Sequence, residues 1–245
     1  MNRKLENKIA VVTGGSAGIG LGVAKRFAAE GARVFITGRR QSELDKALAT
    51  IEGNVTAIQG DASNLADIDR IYETVKTQAG RIDVLFANAG FYEVGRLGEI
   101  TEDHFDKTFN TNVRGLVFTV QKALPLLSQG SSVILVGSIA SLKGFEALSV
   151  YNASKAAVRS FARTWINDLR GRGIRVNVLS PGHIETPGLS SLMNDGQKAA
   201  AVANVPLGRM GTPDDMAKVA VFLASDDSGY ISGVELFADG GVAQY

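Results

Sequence analysis

A parallel, doubly wound α/β sheet of about seven strands, with helices on both faces, is the architecture this chain predicts. Three observations carry it. Short β-branched runs alternate with longer helical patterns throughout the 245 residues. The strand candidates read as continuous apolar runs, IAVVT and SVILVG among them, which suits a sheet buried on both faces. The first strand also ends in a glycine-rich string that passes straight into a helix.

Taken in order, the first strand is expected over 8–13 and its helix over 19–30. Between them lie Thr13, Gly14, Gly15, Ser16, Ala17, Gly18, Ile19 and Gly20. Glycine permits a tight turn and close backbone approach, and the helix N-terminus offers free N–H groups to a phosphate. A plain strand-to-helix turn has a similar composition, so the context is what strengthens the signal. The second strand, 33–37, runs into Gly38, Arg39 and Arg40 ahead of a helix over 42–51. The third, 55–59, is followed by Asp61, Ala62 and a helix over 65–78, which Asp61 is also placed to cap. The fourth, 84–87, leads to Asn88, Ala89 and Gly90, and a long helical pattern over 102–127 contains Asn112. The fifth, 132–137, stops at Ser138, and the helix over 150–170 carries Tyr151 and Lys155. Phe161 and Trp165, one turn apart in that helix, read as packing. The sixth strand, 175–179, meets Pro181 and Gly182; a helix over 213–224 and a strand over 234–237 complete the pattern. Only 186–212 departs from the rhythm, and an excursion of that length inside an α/β sheet is expected to be a lid or binding loop. No linker, repeat or low-complexity segment divides the chain, so 1–245 is expected to form one domain.

Composition narrows the function classes. The net charge of +1 gives no strong pull toward nucleic acid or anionic membrane, and neither is expected as a partner. The absence of cysteine removes disulfides, a thiol nucleophile and thiolate metal sites. His104 and His183 stand apart from any carboxylate cluster, so no dedicated metal centre is expected. The N-terminal stretch lacks a signal-peptide apolar core and the longest apolar run is interrupted by Gln121 and Lys122, which predicts a soluble cytoplasmic protein.

Chemistry concentrates at Ser138, Tyr151 and Lys155. Residues four apart share one face of a helix, so Tyr151 and Lys155 can point into one site. A neighbouring ammonium favours a phenolate, which is expected to lower the Tyr151 pKa toward working pH and make it a better acid. A serine hydroxyl at a strand end can hold the same substrate oxygen. That is proton transfer at a carbonyl, although Tyr-x-x-x-Lys by itself occurs in many unrelated helices.

The spacing T-G-x-x-x-G-x-G resembles that of the short-chain dehydrogenase/reductases, and the resemblance extends over nearly the whole chain. Asp61, Asn88-Ala-Gly90, Asn112, Ser138, Tyr151, Lys155 and Pro181-Gly182 follow in the family's order and structural slots. Ala87 departs from it, standing where the family usually reads Asn. The resemblance implies a Rossmann-type dinucleotide-binding catalytic domain with Asn112, Ser138, Tyr151 and Lys155 as catalytic residues. Tyr151 would give a proton to a ketone oxygen while hydride arrives from the nicotinamide, Ser138 would hydrogen-bond the same oxygen, and Lys155 would depress the Tyr151 pKa and bind the nicotinamide ribose. Asn112 would distort its helix and position a water leading from Lys155. Gly14, Ser16, Gly18, Ile19 and Gly20 would hold the pyrophosphate, Asp61 and Ala62 the adenine, and Asn88, Ala89 and Gly90 the riboses. Pro181, Gly182, Ile184 and Thr186 would orient the nicotinamide.

NAD-binding relatives place an acid at about the position of Gly38, where it accepts from the ribose hydroxyls and repels a 2′-phosphate. Here Arg39 and Arg40 follow that glycine, and guanidinium pairs well with phosphate, so NADP(H) is expected over NAD(H). Ala17 lacks the basic side chain many NADP-dependent relatives carry in the turn. The expected substrate wall is Ser138, Ile139, Phe145, Tyr151, His183, Leu189, Leu192 and Met193, with Leu148 and residues 91–94. Its apolar character favours a small neutral ketone, reduced reversibly to a secondary alcohol. Rival readings are a 3-oxoacyl-[acyl-carrier-protein] reductase, a sugar or polyol dehydrogenase, and a non-catalytic NADP(H)-sensing regulator. The first is disfavoured because 127–132 holds no Lys or Arg. Family members are most often tetramers, so a homotetramer is expected; Ala153, Ala156, Ala157 and Ser160 allow close approach along one helix.

Overall fold

The computed structural model describes residues 3–190 and 193–244. Seven parallel strands form one sheet in the order β3-β2-β1-β4-β5-β6-β7. They are β1 (Ile9–Val12), β2 (Arg33–Gly38), β3 (Val55–Gln59), β4 (Ile82–Ala87), β5 (Leu127–Val136), β6 (Arg175–Pro181) and β7 (Glu235–Ala238). Helices α1 (Gly18–Ala29), α2 (Gln41–Leu48) and α9 (Pro213–Ala224) pack on one face. Helices α3 (Leu65–Ala79), α5 (Leu116–Ala123) and α6 (Ser149–Asp168) pack on the other. Because side chains alternate along a strand, Val12, Ile36, Phe86 and Ile134 serve the first core, and Val11, Phe35, Leu85 and Leu135 the second. Phe27 meets Phe86 edge-on at 6.2 Å, and burying each such side chain contributes roughly 1.5–3 kcal/mol.

The chain leaves β1 in one direction through β2 to β3, then returns to the other side of β1 as β4. This reversal opens a crevice at the carboxyl ends of β1 and β4, the place where ligands bind in open α/β sheets.

Three expectations are corrected. The pattern over 102–127 is not one helix: α4 (Glu102–Phe109) passes into a π-helical turn, Asn110–Gly115, before α5 ends at Ala123. The turn reads Asn-Thr-Asn-Val-Arg-Gly, mostly weak helix formers, and Gly115 lies so close to the Ala62 carbonyl that a Cβ there would come within 2.5 Å of it. Strand β5 starts at Leu127 rather than 132, because Leu127 already pairs with Ile82 before the register shifts. The excursion 186–212 is partly helical, with α7 (Pro187–Ser190) and α8 (Asp195–Ala203). Asn194 and Gln197 form a capping box that starts α8. Among the described residues, no helix is long and apolar enough to cross a membrane.

Candidate active site

The turn after β1 is built around glycines that no other residue replaces without cost. Gly14 and Gly18 have φ of 64° and 53°, in the left-handed region. A Cβ on Gly20 would lie 2.2 Å from the Gly14 carbonyl oxygen. Helix α1 then begins at Gly18 with Ala17 at its N-cap, and no side chain bonds the first N–H groups. An uncapped N-terminus facing a glycine cradle suits a pyrophosphate. Gly20→Ala is therefore expected to weaken nicotinamide dinucleotide binding at least ~tenfold, read by fluorescence titration. An unchanged Kd in a normally folded variant contradicts this use of the turn.

At the end of β2, Arg39 and Arg40 are both exposed. Glu43, in the first turn of α2, is paired with Lys46 at 2.9 Å and feels the Arg40 charge more weakly. After β3, Asp61 does not cap α3. Its Oδ1 accepts from the Ser63 N–H and Oγ at 2.8 and 2.7 Å, and the cap is Asn64.

The segment after β4 is fastened at two points. Asn88 N–H and Ala89 N–H both donate to Thr13 Oγ1, at 2.9 and 3.0 Å. Asn88 Nδ2 donates to the carbonyls of Thr13 and Gly14 at 3.1 and 3.2 Å, so its side chain ties this segment to the glycine turn. Farther on, Asn112 Oδ1 accepts from Phe91 N–H at 2.7 Å while its Nδ2 donates to Phe91 O and Ser154 Oγ, at 2.9 and 3.0 Å. Asn112 is 1% exposed and does lie in the distorted turn, but its carboxamide is engaged in bracing. Ser154 continues the brace, its Oγ donating to the Tyr151 carbonyl at 2.7 Å. Thr13 and Ser154 were not among the expected site residues. A threonine closing the first strand and a serine inside Tyr-Asn-Ala-Ser-Lys were the available signals.

Ser138, Tyr151 and Lys155 come together at the mouth of this crevice. Ser138 caps a 3-10 turn, Ile139–Ser141, its Oγ accepting from Ala140 N–H at 3.1 Å. Its side chain also faces the Tyr151 phenol. Lys155 Nζ lies 5.7 Å from the Tyr151 ring centroid and donates to the Val136 carbonyl at 2.9 Å. The expected depression of the Tyr151 pKa by Lys155 is not what this arrangement gives. Burial pushes the phenol up, the Ser138 hydroxyl pulls it partly back, and the nearby Tyr92 phenol adds to the rise. Lys155, 6% exposed, is itself lowered by burial to about 8.

That shift has a signed consequence for stability. The unfolded lysine holds its proton up to 10.5 and the folded one only to about 8, so the unfolded state binds more protons between them. Stability from this group therefore rises with pH across that window, by at most ~1.4 kcal/mol per unit. Above the ordinary tyrosine pKa of 10.0, Tyr72 and Tyr151, raised by burial, act in the opposite direction. Denaturant unfolding of wild type and Lys155→Met should show the difference between them moving in favour of wild type by ~1–2 kcal/mol between pH 7.5 and pH 9.5. A constant difference counts against the lowered lysine.

Around the cluster, Tyr92 meets Tyr151 edge-on at 5.2 Å. Ile139 is buried beside Val205 and Val242, with Phe145 packed against them and edge-on to His183 at 6.4 Å. Burial lowers the His183 pKa, which favours neutral imidazole. Val242, from the C-terminal turn, was not among the expected wall residues. Ile184 is buried, and Thr186 packs over Gly18, where a Cβ would meet its methyl at 3.2 Å. Leu189 and Met193 are half-buried, while Leu192 lies outside the described residues. Pro181 is buried, and Gly182 adjoins Asp239 so closely that a Cβ would come within 2.7 Å. A separate cavity of about 840 Å³, lined by Arg3, Lys8, Lys25, Arg33 and Arg81 among others, includes none of these residues.

The family described as Enoyl-(Acyl carrier protein) reductase matches residues 14–243. The chain is 49% identical to the oxidoreductase asL5 of Sarocladium schorii over 99% of this chain and 98% of that one. It is 34% identical to an NADP-dependent (R)-specific alcohol dehydrogenase of Lentilactobacillus kefiri, covering 98% of each. Among solved structures, a short-chain dehydrogenase/reductase from Brucella melitensis named glucose/ribitol dehydrogenase superposes with a TM-score of 0.94 at 31% identity, covering 99% of both chains. With this sheet, this crevice and these likenesses, the chain belongs to the short-chain dehydrogenase/reductase family, oxidoreductases of Rossmann-type fold that bind NAD(P)(H) and act on carbonyl and alcohol groups.

Proposed function

We propose that this protein is an NADP(H)-dependent reductase of small neutral ketones, reversible toward the secondary alcohol, with residues 1–245 as one catalytic domain. The observation that carries the reading is the Tyr151 phenol facing Ser138 and backed by buried Lys155 at the switch-point crevice. Tyr151 donates the proton to the ketone oxygen, and Ser138 holds that oxygen as negative charge develops on it. Lys155 supplies a positive charge beside the phenol and a donor for the cofactor ribose. Asn112 braces the turn that faces them, through Phe91 and Ser154.

The residues present fit the dinucleotide, since the glycine cradle has no room for side chains and the α1 N-terminus is uncapped. Gly14, Ser16, Gly18, Ile19 and Gly20 would hold its pyrophosphate. Arg39 and Arg40, exposed and without the acid that NAD-binding relatives carry, would hold the 2′-phosphate. Asp61 and Ala62 would flank the adenine, and Ala89 and Gly90 the riboses, with Asn88 setting their position. Pro181, Gly182, Ile184 and Thr186 would face the nicotinamide. When bound, the cofactor supplies the hydride. Phe145, His183, Leu189 and Met193, with Ile139 and Tyr92, would form the substrate wall. Assembly as a homotetramer belongs to the same reading, and Phe105, 45% exposed and stacked on Phe109 at 4.4 Å, offers apolar surface for it.

A second reading has one observation in its favour. Arg172 places a guanidinium at the start of β5, donating to the Leu124 and Leu127 carbonyls at 2.8 and 3.2 Å, where a basic surface for an acidic acyl carrier would serve a 3-oxoacyl reductase. Absorbance assays with NADPH and a panel of aryl ketones, keto esters, sugars and an acetoacetyl thioester separate the two. Fastest turnover on neutral ketones supports the proposal, and preference for the thioester supports the carrier reading. NADPH binding without any turnover would indicate a sensor.

A further inference from the structure

Glu235, on edge strand β7, is a buried carboxylate that none of the steps above uses. Its side chain is 6% exposed. Oε1 accepts from Ser141 Oγ and from Ser180 Oγ, the latter at 2.8 Å, and Oε2 lies 2.8 Å from Arg159 Nε. The Arg159 N–H is not aligned on Oε2, so that contact is an ion pair rather than a hydrogen bond. Each partner sits on a part of the catalytic cluster. Ser141 ends the short turn that Ser138 caps, and Ser180 directly precedes Pro181-Gly182. Arg159 is one helical turn beyond Lys155 and two beyond Tyr151 on α6, along the same face.

We propose that Glu235 is a positioning residue for this active site, joining the Ser138 turn, the end of β6 and α6, and that its charge cancels Arg159 at Lys155 and Tyr151. The inference rests on the ketone-reductase reading for its importance to turnover, but not for its geometry. Were Glu235 neutral, the Arg159 guanidinium would stand uncompensated one turn from Lys155. Coulomb repulsion at that separation disfavours the ammonium and favours the phenolate, which lowers both midpoints. Removing Arg159 leaves the carboxylate and raises both. Among the described residues, other ionisable groups by this part of the site include Tyr92 beside Tyr151, His183 after β6, Lys143 after the Ser138 turn and Asp239 after β7. Lys143 Nζ donates to Val242 O at 2.6 Å, and the Asp239 oxygens accept from Gly241 N–H and Ala243 N–H. None of these is exchanged in the test.

The variants are Glu235→Gln, which keeps an oxygen for Ser141 and Ser180, Arg159→Gln, and the double substitution. In ligand-free protein, the Lys155 ε-methylene is titrated by NMR, with Lys155→Met providing the assignment, and the pH profile of kcat/KM is recorded in parallel. Glu235→Gln should lower the Lys155 midpoint by roughly half a pH unit or more, Arg159→Gln should raise it, and the double variant should return close to wild type. Folded variants with coincident midpoints overturn the proposal, as do shifts of the same sign. If Glu235→Gln does not fold, Arg159→Gln alone decides, and an unmoved or lowered midpoint overturns it. Turnover that survives Tyr151→Phe defeats the reductase reading separately, leaving the lysine titration to decide the charge relay between Glu235, Arg159 and Lys155.

Discussion

Replacing Tyr151 by phenylalanine is expected to lower kcat/KM for ketone reduction by ~10³-fold or more while leaving NADPH affinity within about twofold. The ring is kept, and with it the edge-on contact to Tyr92 at 5.2 Å and the packing at the start of α6. What disappears is the hydroxyl that faces Ser138, placed to deliver a proton where the ketone oxygen would lie. A positioned acid contributes typically 10²–10⁴-fold, and loss of the hydroxyl also removes one of two donors to the developing oxyanion. Steady-state kinetics with a fluorescence titration of NADPH check both halves. Activity above about a tenth of wild type would exclude Tyr151 as the acid.

Arg39→Ala is expected to cost ~10–100-fold in kcat/KM with NADPH and to leave the value with NADH nearly unchanged. A hydrogen bond to a charged group is worth about 1.5–3 kcal/mol, and Arg39 has no carboxylate partner at the start of α2 to compete for its guanidinium. Adding Gly38→Asp should then favour NADH outright, by restoring a carboxylate for the ribose hydroxyls. The cost of that second change is local: a Cβ at 38 comes 3.0 Å from Ser16 Oγ, and the serine side chain can turn away. Ratios of kcat/KM for the two cofactors give the readout. An NADPH preference that survives Arg39→Ala would assign 2′-phosphate recognition elsewhere.

The sheet was legible because its signals are local or periodic. Ile9–Val12 and the 133–136 end of β5 are apolar runs between breakers, and Pro213 after Thr212 opens α9 with a capping box. Periodicity alone does not show the π turn, since the helical period runs through Asn110–Gly115 undisturbed; only the family resemblance puts a distortion at Asn112. What bends it is tertiary: Asn112 bonding Phe91 and Ser154, and Gly115 pressed on Ala62. The Asn194-x-x-Gln197 box that starts α8 lies inside the 186–212 stretch that reads whole as a loop.

The candidate site divides in the same way. Four-residue spacing brought Tyr151 beside Lys155 but gave the wrong sign for the phenol, because burial, which sums over the whole fold, raises it and Lys155 is not among the groups that shift it. Asp61 as a helix cap failed because Asn64, three residues on, takes the N–H groups of Ala66 and Asp67. Glu235 lies some eighty residues from Lys155, and only the pairing of β7 with β6 brings it to α6.

The clamp of Asn88 and Ala89 on Thr13 and Gly14 makes the two sides of the crevice one piece, held by the chain's own hydrogen bonds. Little ordering entropy is then spent there on binding. The wall that would meet the carbonyl compound is drawn instead from separate segments after β5 and β6 and from the C-terminal turn. Descendants of such a chain can exchange those segments and change diet while inheriting the same cradle intact, which makes this molecule a tool with a fixed handle and an interchangeable jaw.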